Sequence, residues 1–174
     1  MKILKYILIS FLFLQVGLVK AVEGPVKKFI SKEKELIYLI VTSATQKGVD
    51  PYKALALVKV ESSLNPEAQR YEPKFKSWSI GLFQMFLPTA RAMGFKGTIK
   101  QLKNPVVNTN LGLEHIKTCM EEVGEDMQQI ACCHKAGFAV EKSVCKNNLS
   151  VKEYIKDVNT AYLYWKKNLD ASSI

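Results

Sequence analysis

The chain has 174 residues, of which 48% are hydrophobic, and it carries a formal net charge of +9 at pH 7. This length fits one domain with a real core, and the positive charge favours an anionic partner such as a cell-wall polymer, a nucleic acid or a membrane surface. The lysines are scattered, and no arginine-rich run, RNA-binding motif or zinc-finger pattern occurs, so nucleic acid is disfavoured. Ordinary solubility charge explains the lysines equally well.

The first 21 residues have the features of a signal peptide. Lys2 and Lys5 precede an apolar run from residue 6 to residue 19, which is shorter than the roughly 20 residues that a bilayer span needs. Residues 19–21 suit signal-peptidase cleavage. We therefore expect export to the periplasm or cell envelope. Cleavage removes three lysines and no acidic residue, which lowers the charge to +6; the alternative is an uncleaved N-terminal anchor.

The mature domain is expected to cover residues 31–174, after a short linker at residues 22–30. Ser31 is a good N-cap for a first helix, which Gly48 ends. Asp50-Pro51 starts a second helix, and Asn65-Pro66 ends it. No internal repeat or low-complexity segment occurs in the mature chain.

Glu61 lies on the apolar side of this second helix. Ala54, Leu57, Val58 and Glu61 share one face, because their spacing is i, i+3, i+4 and i+7. A carboxylate on such a face is costly to ionise, and the partial negative charge of the helix C-terminus adds to the cost. The pKa of Glu61 should therefore be raised, which suits a general acid. The alternative is a half-exposed Glu paired with a lysine.

The remaining segments favour a mainly α domain. Residues 69–79, QRYEPKFKSWS, break the helical pattern and are compatible with a short hairpin, whose aromatic rings either stack on sugars or pack on the core. The next run places Gln84 among apolar residues, where a buried amide needs a hydrogen-bond partner. Further helices are expected at Pro88–Gly94, after Asn104-Pro105, at Asp126–Gly137 and at residues 151–165.

The chain has four cysteines, Cys119, Cys132, Cys133 and Cys145. With an export signal, disulfides are expected, although some of the four are alternatively small core residues. A bond between the adjacent Cys132 and Cys133 would be strained. Both two-bridge alternatives join this pair outward, to Cys119 and to Cys145, and the sequence leaves the choice open. A zinc site is disfavoured because no CxxC pair occurs.

An ordered set of motifs connects these segments. E-S-S-L-N-P-x-A at Glu61–Ala68 is followed by S-I-G-L-F-Q-M at Ser79–Met85, by LPTARAMGF at Leu87–Phe95, and by L-x-N-P-x-x-N-x-x-x-G at Leu102–Gly112. No single motif is specific, but their order and gaps are. The set resembles the soluble lytic transglycosylase (SLT) family of bacterial cell-wall enzymes, whose fold is similar to that of goose-type lysozyme. The resemblance covers roughly residues 49–137.

The resemblance implies cleavage of the β-1,4 bond between N-acetylmuramic acid and N-acetylglucosamine by one Glu instead of a pair of carboxylates. That residue matches Glu61, which would protonate the glycosidic oxygen and then take the proton of the muramoyl C6 hydroxyl as a 1,6-anhydro ring closes. The acetamido group of the substrate would assist, and no metal or organic cofactor is implied. Glu67, Glu72 and Glu114 are not defining residues of any motif, and none is assigned as a second catalytic carboxylate.

The resemblance also implies substrate-binding residues. Ser62 matches a serine that orients or hydrogen-bonds near the catalytic Glu. Gly81 would allow close approach of the backbone, and Gln84 matches a cleft amide that contacts sugar, with Met85 beside it.

One motif departs from the family, which usually carries A-Y-N-x-G where this chain has Cys133-His134-Lys135-Ala136-Gly137. His134 replaces the Tyr that touches the catalytic Glu. It is expected to donate a hydrogen bond to Glu61, although a charged imidazole would lower the pKa of Glu61. Lys135 replaces a sugar-binding Asn and is expected to hold an acidic group of peptidoglycan. Alternatively, both side chains have turned to the surface and this half of the cleft is rebuilt.

Three functions stay open. The leading function is a lytic transglycosylase, with a muramidase-type hydrolase that leaves reducing ends as the runner-up, and the retained Glu61, Ser62 and Gln84 argue against a protein that has lost catalysis. The changed motif supports a non-catalytic peptidoglycan-binding or assembly protein. A single exported domain of this size, expected to be a monomer, resembles the transglycosylases that open the wall for secretion or conjugation machines, and phage-borne ones.

Overall fold

The computed structural model describes residues 31–137 and 142–169, without the side chains of residues 142 and 143. The predicted signal peptide (1–21) and linker (22–30) lie outside the described residues. The chain divides into two compact units after Glu35. Only residues 31–35 of the first unit are described, and Ser31 there accepts a hydrogen bond from the Lys34 N–H at 3.3 Å, as its predicted N-cap role requires.

The described residues form eight α-helices and a small antiparallel sheet. The helices are α1 (Lys32–Gln46), α2 (Pro51–Ser62), α3 (Leu87–Ala92), α4 (Ile99–Leu102), α5 (Pro105–Val123), α6 (Met127–Ala136), α7 (Lys142–Asn147) and α8 (Leu149–Asn168). The strands, in sheet order, are β1 (Gln69–Glu72), β2 (Ser77–Ile80) and β3 (Met85–Phe86). This architecture confirms the predicted mainly α, lysozyme-like fold and its small hairpin.

Three helices begin where the sequence predicts. Asp50, Asn104 and Asp126 cap α2, α5 and α6, and each accepts backbone N–H bonds of the first turn at 2.8 to 3.3 Å. Each such cap stabilises its helix by about 1 kcal/mol. None of the described helices has the length and apolar character needed to cross a bilayer.

Helix α2 forms the centre of the second unit. Five consecutive residues from Ala54 to Val58 are fully buried, so the middle of this helix is covered on every side and not only along the stripe that the spacing predicts. Helix α8 packs along α2, and α6 packs against α8. The C-terminal end of α2, with Glu61, emerges from this core beside the sheet.

Two disulfides tie α6 to its neighbours. Cys119–Cys133 joins α5 to α6, and Cys132–Cys145 joins α6 to α7, each with a Cα–Cα distance of 5.8 Å, within the usual range. The structure therefore selects one of the two pairings that the sequence leaves open.

Candidate active site

A cleft of about 350 Å³ lies between the C-terminal end of α2, the sheet and the C-terminal end of α6. Its polar lining includes Glu61, Arg70, Glu72, Gln84, His134 and Lys135. Apolar side chains, among them Phe75, Met85 and Phe86, form other parts of the wall. The cleft thus combines a buried acid, cations and flat apolar surface.

Glu61 is buried in the wall of this cleft, and its side chain is only 7% exposed. Burial raises the pKa of Glu61, although the hydrogen bond from Tyr154 and the charges of Lys135 and Arg70 oppose the shift. The predicted direction of the pKa shift is therefore confirmed. The alternative of a half-exposed Glu paired with a lysine is wrong, because only 7% of this side chain is exposed.

Tyr154 of α8 makes the shortest contact of the acid. Its hydroxyl donates a hydrogen bond of 2.6 Å to Oε1 of Glu61. Burial and the nearby Glu61 raise the pKa of Tyr154 well above its usual value, so the phenol stays protonated and remains a donor. The sequence places Tyr154 only on the apolar face of the last helix. The sequence does indicate that Tyr154 has a partner, because a buried tyrosine hydroxyl needs one. The identity of that partner follows only from the packing of α8 on α2.

His134 lies behind the same oxygen. Its Nε2 is 3.5 Å from Oε1 of Glu61, beyond the usual range of about 2.7–3.2 Å for an N–H···O bond, so the hydrogen bond expected from the sequence is not formed. Burial lowers the pKa of His134 to about 4. A hydrogen bond with the Phe83 backbone raises this pKa, but its effect is smaller than that of burial. His115 contacts the imidazole edge-on with ring centroids 5.0 Å apart, and its own pKa falls to about 3, mainly through burial. Both imidazoles are neutral at pH 7, so neither places a positive charge beside Glu61 that would lower its pKa.

Lys135 borders the cleft beside His134. Its Nζ lies 4.9 Å from the ring centroid of Tyr154, a cation–π distance. His134 is therefore not turned to the surface, and Lys135, although exposed, stays at the cleft. The alternative of a fully rebuilt half of the cleft does not describe this structure.

Gln84 is held in the cleft wall by its own backbone turn. It adopts a positive φ of 44°, and its Nε2 donates to the carbonyls of Ala68 and Gly81 at 3.2 and 3.0 Å. Its Oε1 accepts no hydrogen bond from the residues that the structure describes. Because both bonds use the amide nitrogen, the oxygen is the atom that can accept from a sugar hydroxyl or acetamido N–H.

Two predicted site residues do not line the cleft. The Ser62 hydroxyl donates to the Val58 carbonyl at 3.2 Å, within its own helix. Gly81 has a φ of +78°, and a Cβ there would lie 2.3 Å from Nδ2 of Asn108. The missing side chain of Gly81 therefore makes room for Asn108, and close approach to a substrate is not what the position requires.

The hairpin adds a carboxylate that the sequence left unassigned. Glu72 accepts hydrogen bonds on Oε1 from Arg70 Nε at 2.7 Å and from the Ser79 hydroxyl at 3.1 Å. Burial opposes its ionisation, but these two donors and the charge of Arg70 lower the pKa of Glu72 overall. Glu67 is paired with Lys103 instead and does not line the cleft.

Within residues 31–137 and 142–169, no group of three His, Cys, Asp or Glu side chains is placed to hold a metal ion.

The fold and the site define a class: a lysozyme-like domain with a buried carboxylic acid in a polar and aromatic cleft. The model of the transglycosylase SLT domain family matches residues 38–156, and the chain belongs to this family. The predicted family resemblance is thereby confirmed.

Curated relatives match a shorter segment. Proteins named endo-type membrane-bound lytic murein transglycosylase A from Salmonella paratyphi B, Salmonella enteritidis PT4 and Salmonella typhimurium are each 37% identical to this chain over 76 residues. The match covers 40% of this chain and 35% of each relative. The shared segment is thus about a third of the length of these relatives.

Proposed function

We propose that this protein is a lytic transglycosylase that cleaves the β-1,4 bond between N-acetylmuramic acid and N-acetylglucosamine in peptidoglycan and leaves a 1,6-anhydro end. The observation that carries the proposal is the environment of Glu61. In a chain of the SLT domain family, this buried acid with a raised pKa lines an open cleft. A protonated carboxylic acid at neutral pH is what bond cleavage by general acid catalysis needs.

The contacts of Glu61 orient its proton. Tyr154 and His134 both approach Oε1, whereas Oε2 receives no hydrogen bond from the described residues. In this proposal the oxygen that accepts the Tyr154 bond is the carbonyl oxygen of the protonated acid, and the acid proton is on Oε2. Oε2 therefore protonates the glycosidic oxygen, and the resulting carboxylate removes the proton of the C6 hydroxyl as the anhydro ring closes.

The remaining cleft residues bind substrate in this proposal. Gln84 accepts a hydrogen bond through Oε1, Met85 supplies apolar surface, and Lys135 attracts a carboxylate of the muramoyl peptide. His134 packs against the Oε1 side of Glu61, away from the oxygen that faces the substrate. Ser62 and Gly81 act through the backbone that holds Glu61 and the neighbouring loop, and not through contact with sugar.

We further propose the cellular setting. The predicted signal peptide exports a domain of residues 31–174 to the periplasm or cell envelope, where it acts as a monomer on peptidoglycan. Local opening of the wall for a secretion or conjugation machine fits an exported protein of this size.

The substitution Glu61→Gln tests this function. Purified peptidoglycan is digested with the mature protein and the products are identified by mass. We expect 1,6-anhydro muropeptides from the wild type and a loss of at least 100-fold in the variant, because the amide cannot transfer the proton. Glu67→Gln is the matched control, since it removes an exposed charge outside the cleft, and it should retain activity.

Other outcomes favour the other functions. Reducing ends in place of anhydro ends would identify a hydrolase. Binding to peptidoglycan with no soluble product from the wild type would identify a non-catalytic binding protein.

A further inference from the structure

Glu72 is a second carboxylate in the cleft of Glu61, and it comes from a different element. Glu61 is at the end of α2, whereas Glu72 is the last residue of β1. The antiparallel pairing of β1 with β2 places Arg70 opposite Ser79 and Glu72 opposite Ser77. The hairpin therefore brings to the cleft an acidic group that no motif of the sequence indicates.

The contacts of Glu72 hold one of its oxygens in place and leave the other able to accept a further hydrogen bond. Arg70 and Ser79 both donate to Oε1, while no described residue donates to Oε2. The side chain is 26% exposed, so solvent reaches it. A carboxylate fixed through one oxygen can present its second oxygen to a water molecule in the cleft.

The two carboxylates have opposite electrostatic environments. Burial raises the pKa of Glu61, and the charge of Glu72 adds to this rise. Arg70, Ser79 and Lys135 keep Glu72 ionised. Two carboxylates in one cleft whose pKa values are driven apart can take the acid and the base roles.

We propose that Glu72 is a second catalytic residue, which activates a water molecule and lets the same cleft hydrolyse a fraction of the bonds that it cleaves. This inference rests on the proposed function for the first step, in which Glu61 donates its proton to the bridging oxygen. The reaction then divides between capture by the C6 hydroxyl and capture by water.

The water branch balances as follows for the bond between the two sugars. The bond from muramoyl C1 to the bridging oxygen breaks, and the Glu61 proton stays on the N-acetylglucosamine hydroxyl. The water oxygen forms a new bond to C1, and one water proton passes to Oε2 of Glu72. Glu72 then loses this proton to solvent, and Glu61 takes one up. The product is a reducing muramoyl end, heavier than the anhydro end by one water.

The test measures the initial rates of both products with peptidoglycan, for the wild type, Glu72→Gln and Glu67→Gln. We expect reducing and anhydro ends from the wild type, after subtraction of the ends present without enzyme. Glu72→Gln should lower the ratio of reducing to anhydro ends on the order of 100-fold. The ratio is the readout because loss of the Glu72 charge also lowers the pKa of Glu61, on which both products depend. The Gln amide oxygen still accepts from Arg70 and Ser79, so the hairpin should keep its structure, as thermal unfolding can verify.

Each further outcome decides one of the two proposals. Anhydro ends alone from the wild type, or an unchanged product ratio in Glu72→Gln, would overturn the role of Glu72 and leave the transglycosylase standing. Equal loss of both products in Glu72→Gln would overturn it too. Reducing ends alone, lost in Glu72→Gln, would support Glu72 and overturn the anhydro product. No product from the wild type would overturn both.

Discussion

The two oxygens of Glu61 differ in their surroundings. Oε1 has the Tyr154 hydroxyl at 2.6 Å and the neutral His134 at 3.5 Å. A neutral donor stabilises the carboxylate without the attraction of a full charge, so the pKa of Glu61 stays raised. Glu61 can therefore donate a proton as the acid, and Tyr154 stabilises the carboxylate that remains to act as the base.

The substitution Tyr154→Phe tests this balance. The hydrogen bond from Tyr154 lowers the pKa of Glu61 and partly offsets burial. Its loss should raise that pKa further, so the acid stays protonated to higher pH. We expect the alkaline limb of the kcat/KM profile to move to higher pH, and the rate at the optimum to fall about tenfold through poorer orientation of the acid.

The control for this substitution is Tyr162→Phe. Tyr162 lies on the same helix, and its hydroxyl donates to Asp50 at 3.3 Å, away from the cleft. It should leave the limb in place. A limb that stays fixed in Tyr154→Phe as well would contradict the role of the hydrogen bond.

Residue patterns reveal Glu61 and miss Tyr154 for a physical reason. Glu61 breaks the apolar stripe of its own helix, so its cost of ionisation is visible within a dozen residues of sequence. Tyr154 looks like any half-apolar side chain on α8, and its partner is 93 residues away in the chain. Only tertiary packing brings the two together.

The segment between β2 and β3 depends on one buried amide of α5. Asn108 donates to the carbonyls of Ile80 and Leu102 at 2.9 and 3.0 Å and accepts from the Phe83 N–H at 2.8 Å. These bonds satisfy a side chain that is fully buried, as buried polar groups require. They also fix the backbone that positions Gln84 in the cleft.

The substitution Gly81→Ala should destabilise this segment. A Cβ would contact Asn108 Nδ2 at 2.3 Å, and the φ of +78° disfavours any side chain. Left-handed strain costs about 1–2 kcal/mol, and overpacking adds about 1–3 kcal/mol. Urea unfolding measures the change in the free energy of unfolding.

Gly48→Ala is the matched control. It has a similar φ of +70°, but apart from its two chain neighbours no described residue has an atom within 4 Å of the added Cβ, so only the backbone strain applies. An equal loss of stability in the two variants would show that the Asn108 contact is unimportant.

The long elements follow from their start signals, whereas the short ones do not. Pairs such as Asp50-Pro51 and Asn104-Pro105 combine a cap with a fixed φ and mark α2 and α5. Helix α4 has only four residues, and it rests on a capping box in which Thr98 and Gln101 each bond to the other's backbone N–H. A signal of this size disappears among ordinary polar residues.

At the scale of the molecule, the disulfides hold the cleft wall that α6 provides. The bridged Cys132 and Cys133 directly precede His134, so both crosslinks lie within one helical turn of the site. A helix of ten residues has little stability by itself. Disulfides persist in oxidising compartments, which agrees with the proposed export.

The pairing of the cysteines gives a prediction for the whole domain. The bridges span 14 and 13 residues of sequence, and closing a loop of about 15 residues stabilises the folded state by about 3 kcal/mol. We expect reduction to lower the free energy of unfolding by about that amount for each bridge. Urea unfolding with and without reductant measures it, and thiol labelling counts the free cysteines.

Double variants distinguish the pairing, which matters because no protease readily separates the adjacent Cys132 and Cys133. Removing a true pair, Cys119→Ala with Cys133→Ala, should leave one native bridge and no free thiol, with a loss of about 3 kcal/mol. Removing one partner of each bridge, Cys119→Ala with Cys132→Ala, should leave Cys133 and Cys145 unpaired in the native fold and cost both crosslinks. If the second variant is instead the more stable of the two and has no free thiols, Cys133 is bonded to Cys145, and α6 is held by the other outward pairing.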